Sequence, residues 1–236
     1  MTFRDRLVAT IREARPVLEL PDILVVGSEV PNLLEPDAAA TLVVSLDLDI
    51  GVPVERHASV KAVLDELAAF HPSPEEPSVW VPRRPELLEI NFLGIDRART
   101  PLDVYVREDD RLPLLVFGAL SLVQPGRAID VAGTRVQLPE PAGLLLEKLV
   151  TDRTGEKGDR DLLVALGLLT LATEDDLSAF DRQYRSLALD LRHVVRGNLT
   201  VLSLLSARDG MPDPAAHRER VADVLARLEA VDGDPR

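Results

Sequence analysis

Two apolar stretches separated by a turn constrain this chain more than any other feature. The first ends in the run ILVV at residues 23–26, and the second, residues 41–52, contains Asp47 and Asp49. Side chains at positions i and i+2 of a strand point to the same face. The pattern therefore predicts two strands, the second with both carboxylates on one face. The alternation places three apolar side chains on its other face: Leu46, Leu48 and Ile50.

The paired aspartates favour a cation. Two like charges side by side on a β surface repel each other and are costly to desolvate, and a cation between them removes that cost. Mg²⁺ suits such a pair, because it binds one or two protein carboxylates together with substrate phosphates; Mn²⁺ is the alternative ion. A plainer interpretation also stays open, in which Asp47 and Asp49 are solvated acids on an edge strand.

Gly27 and Ser28 stand between the first strand and a short helix predicted for residues 29–34. Glycine allows the backbone to approach a ligand closely, and a helix N-terminus presents N–H groups that have no helical partner. The pair is therefore a candidate phosphate-binding turn. The alternative is an ordinary turn.

This order of a hydrophobic strand, Gly-Ser and Asp-x-Asp resembles the nucleotidyltransferase superfamily with the DNA polymerase β-like fold, over about residues 18–170. It is most similar to the stand-alone bacterial branch that includes AbiEii-like toxins. The resemblance implies transfer of NMP from an NTP to an acceptor hydroxyl, with Asp47 and Asp49 as metal ligands and Gly27 and Ser28 on the phosphates. The implied partners are the NTP, an acceptor that is a tRNA, a protein or a small molecule, and an antitoxin or other protein partner.

A third carboxylate is the part of the family pattern that this chain lacks. The resemblance places it at Asn91, and an amide is a poorer Mg²⁺ ligand and no general base. Glu89 shares the predicted strand face two residues earlier and is the first candidate to complete the catalytic set. Asp103, predicted on another alternating strand, is the second candidate. For all three, an exposed strand face is the alternative.

A second informative stretch begins at Lys148. The resemblance assigns Lys148 and Lys157 to the nucleotide, with Asp159 or Asp161 orienting a lysine. The residues by themselves also favour a simpler role, with Asp159 as the N-cap of a helix and Asp161 in its positive first turn. Four further arginines line either a substrate cleft or a solvated helix face: Arg182, Arg185, Arg192 and Arg196.

Composition excludes several classes of protein. The chain has no cysteine, and its four histidines are scattered, which argues against disulfides and a structural zinc site. A net charge of −13 disfavours non-specific binding of nucleic acid. The N-terminus is charged and amphipathic and no apolar run approaches the length of a membrane span, so we expect a soluble, cytoplasmic protein with no membrane contact.

The predicted fold is α+β, a mixed sheet flanked by helices with a C-terminal helical region. The expected domains are residues 1–139, nucleotidyltransferase-like, and residues 140–236, helical. Three functions fit these patterns: a metal-dependent nucleotidyltransferase, a related protein that lost turnover and binds a nucleotide or a protein, and an unrelated α+β domain. Asn91 is the main support for the second.

Overall fold

The computed structural model describes residues 1–35, 43–76, 78–151 and 155–233. The chain forms two compact units, the first made of Met1–Val30 and Val44–Pro139 and the second of Pro31–Val43 and Glu140–Arg236. The second unit thus includes residues 31–43, which lie inside the predicted first domain. None of the helices built from the described residues has both the length and the apolar character needed to cross a bilayer.

The strands of the first unit alternate with short helices. The strands are β1 Leu24–Val25, β2 Asp47–Pro53, β3 Phe70–Pro72, β4 Val79–Pro82, β5 Glu89–Ile95, β6 Val104–Arg107, β7 Leu114–Phe117, β8 Pro125–Val131 and β9 Thr134–Pro139. The helices are α1 Phe3–Glu13, α2 Arg15–Leu18 and α4 His57–Val63, while α3, Val30–Leu34, begins at the last residue of this unit's first segment.

Parallel and antiparallel pairs are mixed in one sheet. β2 pairs with β5 in parallel and with β1 in the antiparallel sense. The other edge of β5 is shared by antiparallel β4 and parallel β7, beyond which lie β3 and β6. β8 and β9 form a separate hairpin, and its turn residues Ala132 and Gly133 both have positive φ, 51° and 86°, as a type I′ turn requires. The predicted mixed sheet with flanking helices is confirmed.

The first predicted strand is shorter than expected and lies elsewhere in the sheet. The apolar run at residues 23–26 predicts a central strand over residues 20–26, but β1 has two residues and, among the described strands, pairs with β2 alone. Residues Ile23 to Val26 are nevertheless at most 1% exposed. They are buried because β9 of the hairpin packs against β1.

β2 begins at Asp47, later than the pattern predicts. Leu48 and Ile50 are fully buried, whereas Leu46 precedes the strand and is 68% exposed, so it does not share the buried strand face with them as predicted. Side-chain alternation holds only where the backbone is extended, and Leu46 lies in a bend. Residues 41 and 42 of the predicted strand lie outside the described residues.

The second unit is helical. Its longer helices are α5 Pro141–Val150, α6 Gly155–Leu171, α7 Glu174–Ser186, α8 Leu189–Leu204 and α9 Arg218–Gly233. α5 is buried along almost its whole length and packs against α6, α7 and α8. Thr173 and Asp176 form a capping box that starts α7. The predicted C-terminal helical region is therefore present.

One ionic cluster joins three of these helices. The Tyr184 hydroxyl on α7 donates to Asp232 Oδ2 on α9 at 2.8 Å, and Arg192 Nη1 on α8 donates to Asp232 Oδ1 at 2.8 Å. Arg196 Nη1 lies 3.2 Å from Asp232 Oδ2. Two of the four arginines left open by the sequence thus have a structural partner within this unit.

Candidate functional site

The first-unit candidates lie at neighbouring positions on β2 and β5. The parallel register sets Asp47 opposite Glu89 and Asp49 opposite Asn91. Because Leu48 and Ile90 are buried on the other face, the four polar side chains share one face of the sheet. Asn91 Nδ2 donates to Asp49 Oδ1 at 2.9 Å. The amide in place of the third carboxylate therefore holds one of the two aspartates.

Asp47 is held by a residue just before its own strand. Ser45 Oγ, which is buried, donates to Asp47 Oδ1 at 2.6 Å. Both aspartates keep partial exposure, in contrast to the buried residues between and after them. Their carboxylates are therefore oriented by neighbouring donors.

Glu29 is a member of this site that the sequence pattern did not reveal. It is fully buried in the turn before α3, and its Oε1 accepts a hydrogen bond from the Asp49 backbone N–H at 3.0 Å. Its Oε2 is buried and has no hydrogen-bond partner among the described residues. Burial raises the pKa of Glu29 well above its ordinary value of 4.5, and the negative charges of Asp49 and Asp47 raise it further.

Gly27 is required by the packing of these acids. A Cβ at Gly27 would collide with Asp49 Oδ2 and Glu29 Oε2 and would lie 2.7 Å from Asp49 Cβ. The two carboxylates thus fill the space that any other residue's side chain would need. Ser28 follows, half-buried, and α3 has only five residues, which limits the pull of its N-terminus on a phosphate.

Asp47 and Asp49 can be compared with the ligands that Mg²⁺ usually takes from a protein. Asp47 and Asp49 offer hard oxygen ligands on one face, which is as many protein carboxylates as Mg²⁺ usually takes. Within the parts of the chain that the structure describes, no group of three or more His, Asp or Glu side chains could hold a metal ion. The residues therefore fit a cation that takes its other ligands from substrate phosphates and water, and they do not form a closed metal cage.

The two candidates for the third carboxylate have different surroundings. Glu89 is exposed at the first position of β5, directly across from Asp47. Asp103 lies just before β6, not on a strand, and its Oδ2 accepts a hydrogen bond from the Thr100 backbone N–H at 2.9 Å. Glu89 is therefore on the face of the aspartates, while Asp103 closes a turn.

The two candidate lysines belong to the second unit. Lys148, on α5, is 8% exposed, and its Nζ lies 3.0 Å from Glu147 Oε2 and 3.8 Å from Asp161 Oδ1. Asp161 can therefore orient Lys148, as one of the two interpretations expects. Lys157 is exposed in the first turn of α6.

Asp159 does not cap α6. An N-cap at Asp159 requires a helix that starts at residue 160, but α6 begins at Gly155. Asp159 instead accepts a hydrogen bond from Arg208 Nη2 at 2.6 Å. Gly155, the first residue of α6, has a left-handed φ of 72°, which glycine adopts without strain.

The signal for Glu29 is present in the sequence but ambiguous. An acid directly after Gly-Ser and before an apolar residue also suits the first turn of a helix, where it favours the positive end of the dipole. The structure starts α3 at Val30, so Glu29 lies in the turn and not in the helix. Its role depends on the neighbouring strand.

Comparison with solved structures agrees with this fold. An antigenic nucleotidyltransferase-like protein from Paracoccidioides brasiliensis superposes with a TM-score of 0.57 at 15% identity, covering 98% of each chain. A candidate nucleotidyltransferase from H. pylori has 12% identity and covers 99% of this chain and 96% of that one, but its TM-score of 0.36 is too low to bear on the fold. No protein-family model and no curated protein matches the sequence. The chain therefore has a nucleotidyltransferase-like fold.

Proposed function

We propose that this protein is a metal-dependent nucleotidyltransferase that transfers NMP from an NTP to an acceptor hydroxyl. The observation that carries the proposal is the group of Asp47, Asp49 and Glu29 beside Gly27, in which a buried carboxylate oxygen lacks a hydrogen-bond partner among the described residues. A buried acid beside two aspartates on a nucleotidyltransferase-like fold suits a cation-bound triphosphate.

In this proposal, Asp47 and Asp49 hold Mg²⁺ or Mn²⁺ against the triphosphate, and Gly27 and Ser28 contact the β- and γ-phosphates. The cation supplies charge neutralisation on the phosphate oxygens. Glu89 accepts the proton of the acceptor hydroxyl. The acceptor oxygen forms a bond to the α-phosphorus in line with the bridging oxygen, whose bond to that phosphorus breaks to release pyrophosphate.

In the same proposal, Lys148 and Lys157 contact the nucleotide. The protein also belongs with the AbiEii-like branch and has an antitoxin partner. Lys148 is the more constrained of the two, because Glu147 and Asp161 already lie beside it. Lys157→Ala tests the proposed contact with the nucleotide. Because the Lys157 side chain is exposed, its removal should have little effect on folding.

Calorimetric titration of each NTP with Mg²⁺ tests the proposal. We expect the wild type to bind at least one NTP and Asp47→Ala/Asp49→Ala to lose that binding. The control is Glu75→Ala/Glu76→Ala, which removes the same charge from an exposed loop of the same unit. Absence of binding to the folded wild type would overturn the proposal.

A second candidate function is binding without turnover. It is favoured by the contact of Asn91 with Asp49, which puts an amide where the family resemblance expects an acid. Pyrophosphate release from a labelled NTP, with tRNA, protein and small-molecule acceptors supplied in turn, separates the two. Nucleotide binding without pyrophosphate release with any of them supports the binding module.

A further inference from the structure

The strand β6, Val104–Arg107, exposes two apolar side chains at an edge of the sheet. Among the described strands it pairs with β7 alone, so its other side is open. Val104 is 62% exposed and Val106 is 48% exposed, although valine is normally a buried residue. Another edge strand of this sheet, β3, has three residues and ends in Pro72, two features that limit pairing with a further strand. β6 has no proline.

The ladder with β7 shows which backbone groups of β6 face the open side. The Asp103 carbonyl accepts a hydrogen bond from the Gly118 N–H at 2.6 Å, one step beyond the pairs of the β6–β7 register. Because hydrogen-bonded pairs alternate along an antiparallel ladder, every second residue from Asp103 onward bonds toward β7. The N–H and C=O groups of Val104 and Val106 therefore point to the open side, where another strand can bind them.

The sequence around β6 complements itself when two copies run antiparallel. With a two-fold axis at Tyr105, Val104 of each copy lies opposite Val106 of the other, in a hydrogen-bonded pair. Asp103 then lies opposite Arg107 of the other copy, in a non-hydrogen-bonded pair, where side chains come closest. Arg107 is exposed and has no acid partner among the described residues. This register therefore joins apolar to apolar side chains and acid to base.

The two neighbouring registers are less favourable. Outward-facing residues must stay opposite each other to keep the hydrogen bonds, so the axis can move only to Val104 or to Val106. An axis at Val106 sets Asp103 against Asp109 of the other copy, which places two like charges together. An axis at Val104 removes the ion pair, because Asp103 then lies opposite Tyr105. Charge complementarity therefore selects the axis at Tyr105.

We propose that two copies of this chain form a homodimer by joining their sheets through antiparallel β6 strands, with the two-fold axis at Tyr105. A two-fold axis makes the contact isologous, so the assembly closes at two copies and does not grow into a fibre. Because the paired strands are short, the interface is small, and the dimer should form reversibly as the protein concentration rises. The inference does not depend on the proposed nucleotidyltransferase activity.

Sedimentation equilibrium of the full chain, between about 1 µM and about 1 mM, measures the association. We expect the mass of the wild type to rise toward that of a dimer. Val106→Pro removes an N–H group that the monomer does not use, and an edge strand tolerates proline where that group faces solvent. This variant should stay folded and monomeric.

A charge reversal tests the register without touching the backbone. Arg107→Asp places an acid opposite Asp103 of the other copy and should weaken association by about tenfold or more. Arg185→Asp makes the same change in charge at an exposed residue of the second unit and should dimerise like the wild type.

Single thiols locate the axis, since the chain has no cysteine. Tyr105→Cys places two thiols at the axis, where the Cα atoms of a non-hydrogen-bonded pair lie about 4.5 Å apart, within reach of a disulfide. Glu108→Cys changes an exposed residue three positions further on, whose two copies would lie about 20 Å apart along the paired strands. Mild oxidation should therefore cross-link Tyr105→Cys and leave Glu108→Cys monomeric.

A wild-type dimer that is lost in Val106→Pro, with an unchanged circular dichroism spectrum, supports the inference, as does selective cross-linking of Tyr105→Cys. A wild type that stays monomeric at every concentration overturns it. So does a dimer that persists in both Val106→Pro and Arg107→Asp, or equal cross-linking of the two thiol variants. If Val106→Pro does not fold, Arg107→Asp decides the outcome.

Discussion

The two units differ in the partners that they provide for a carboxylate with low exposure. Asp232, with a side chain that is 17% exposed, accepts from Tyr184 and Arg192 and lies 3.2 Å from Arg196 Nη1. Glu29 is more deeply buried, yet it faces Asp49 and Asp47 and leaves Oε2 without a hydrogen-bond partner among the described residues. Both oxygens of Asp232 therefore have donors within the protein, whereas Glu29 Oε2 needs a proton or a cation.

This difference separates a structural cluster from a candidate site. A carboxylate whose lone pairs are matched by donors contributes to stability, but one surrounded by other acids lowers stability until something binds. Burial also raises the pKa of the Tyr184 hydroxyl, as does its hydrogen bond to Asp232, so this hydroxyl keeps its proton near neutral pH.

The largest difference should appear in the pH dependence of stability. Glu29 has a raised pKa in the folded state, so the folded protein binds more protons than the unfolded chain between pH 4.5 and that raised pKa. Its contribution is fully present below pH 4.5 and is lost as the pH rises. The unfolding free energy of the wild type relative to Glu29→Gln should therefore fall by up to about 1.4 kcal/mol per pH unit.

Urea unfolding of both proteins at a series of pH values above 4.5 measures the slope. Glu66→Gln, at an exposed acid of the same unit, serves as the control and should follow the wild type. Parallel curves for the wild type and Glu29→Gln would show that Glu29 is not the uncompensated acid.

Removal of the matched carboxylate should have the next largest effect. Asp232→Ala leaves the Tyr184 hydroxyl and two guanidinium groups without their acceptor, so we expect the unfolding free energy to drop by about 2 kcal/mol. Urea unfolding measures the loss. Asp223→Ala, an exposed position on the same helix, should change stability by less than about 0.5 kcal/mol. Equal effects of the two variants would contradict the structural role of Asp232.

Asp49→Asn should raise the unfolding free energy, by less than Asp232→Ala lowers it. Its new NH₂ group can donate to Glu29 Oε2, and Oδ1 still accepts from Asn91, so metal-free stability should rise by about 1 kcal/mol. The same unfolding experiment in EDTA measures it. A loss of stability would mean that the acids are already compensated in the folded protein.

The smallest effect is expected at Glu89. Although it stands opposite Asp47, it is exposed and can be solvated, so Glu89→Gln should alter the unfolding free energy by less than about 0.5 kcal/mol. A stability change comparable to that of Glu29→Gln would mean that Glu89, like Glu29, is an acid that the protein does not compensate. The two residues would then no longer differ in this respect.

Local chemistry made much of the fold predictable. The capping box at Thr173 and the hairpin turn at Ala132 and Gly133 follow from residues close in sequence. The N-cap role considered for Asp159 was wrong, because α6 starts earlier, at Gly155. Residue preferences indicate that a helix begins nearby, but the packing of the surrounding chain selects the turn at which it starts.

For the candidate site, the sequence by itself determined that Asp47 and Asp49 share a face, because the side-chain period of a strand is two wherever the backbone is extended. Only the tertiary structure decided that Asn91 holds Asp49 and that Glu29 is buried against it. Those contacts depend on the register of β2 with β5 and on the path of the turn after β1. Register is a property of paired segments distant in sequence, so no local pattern specifies it.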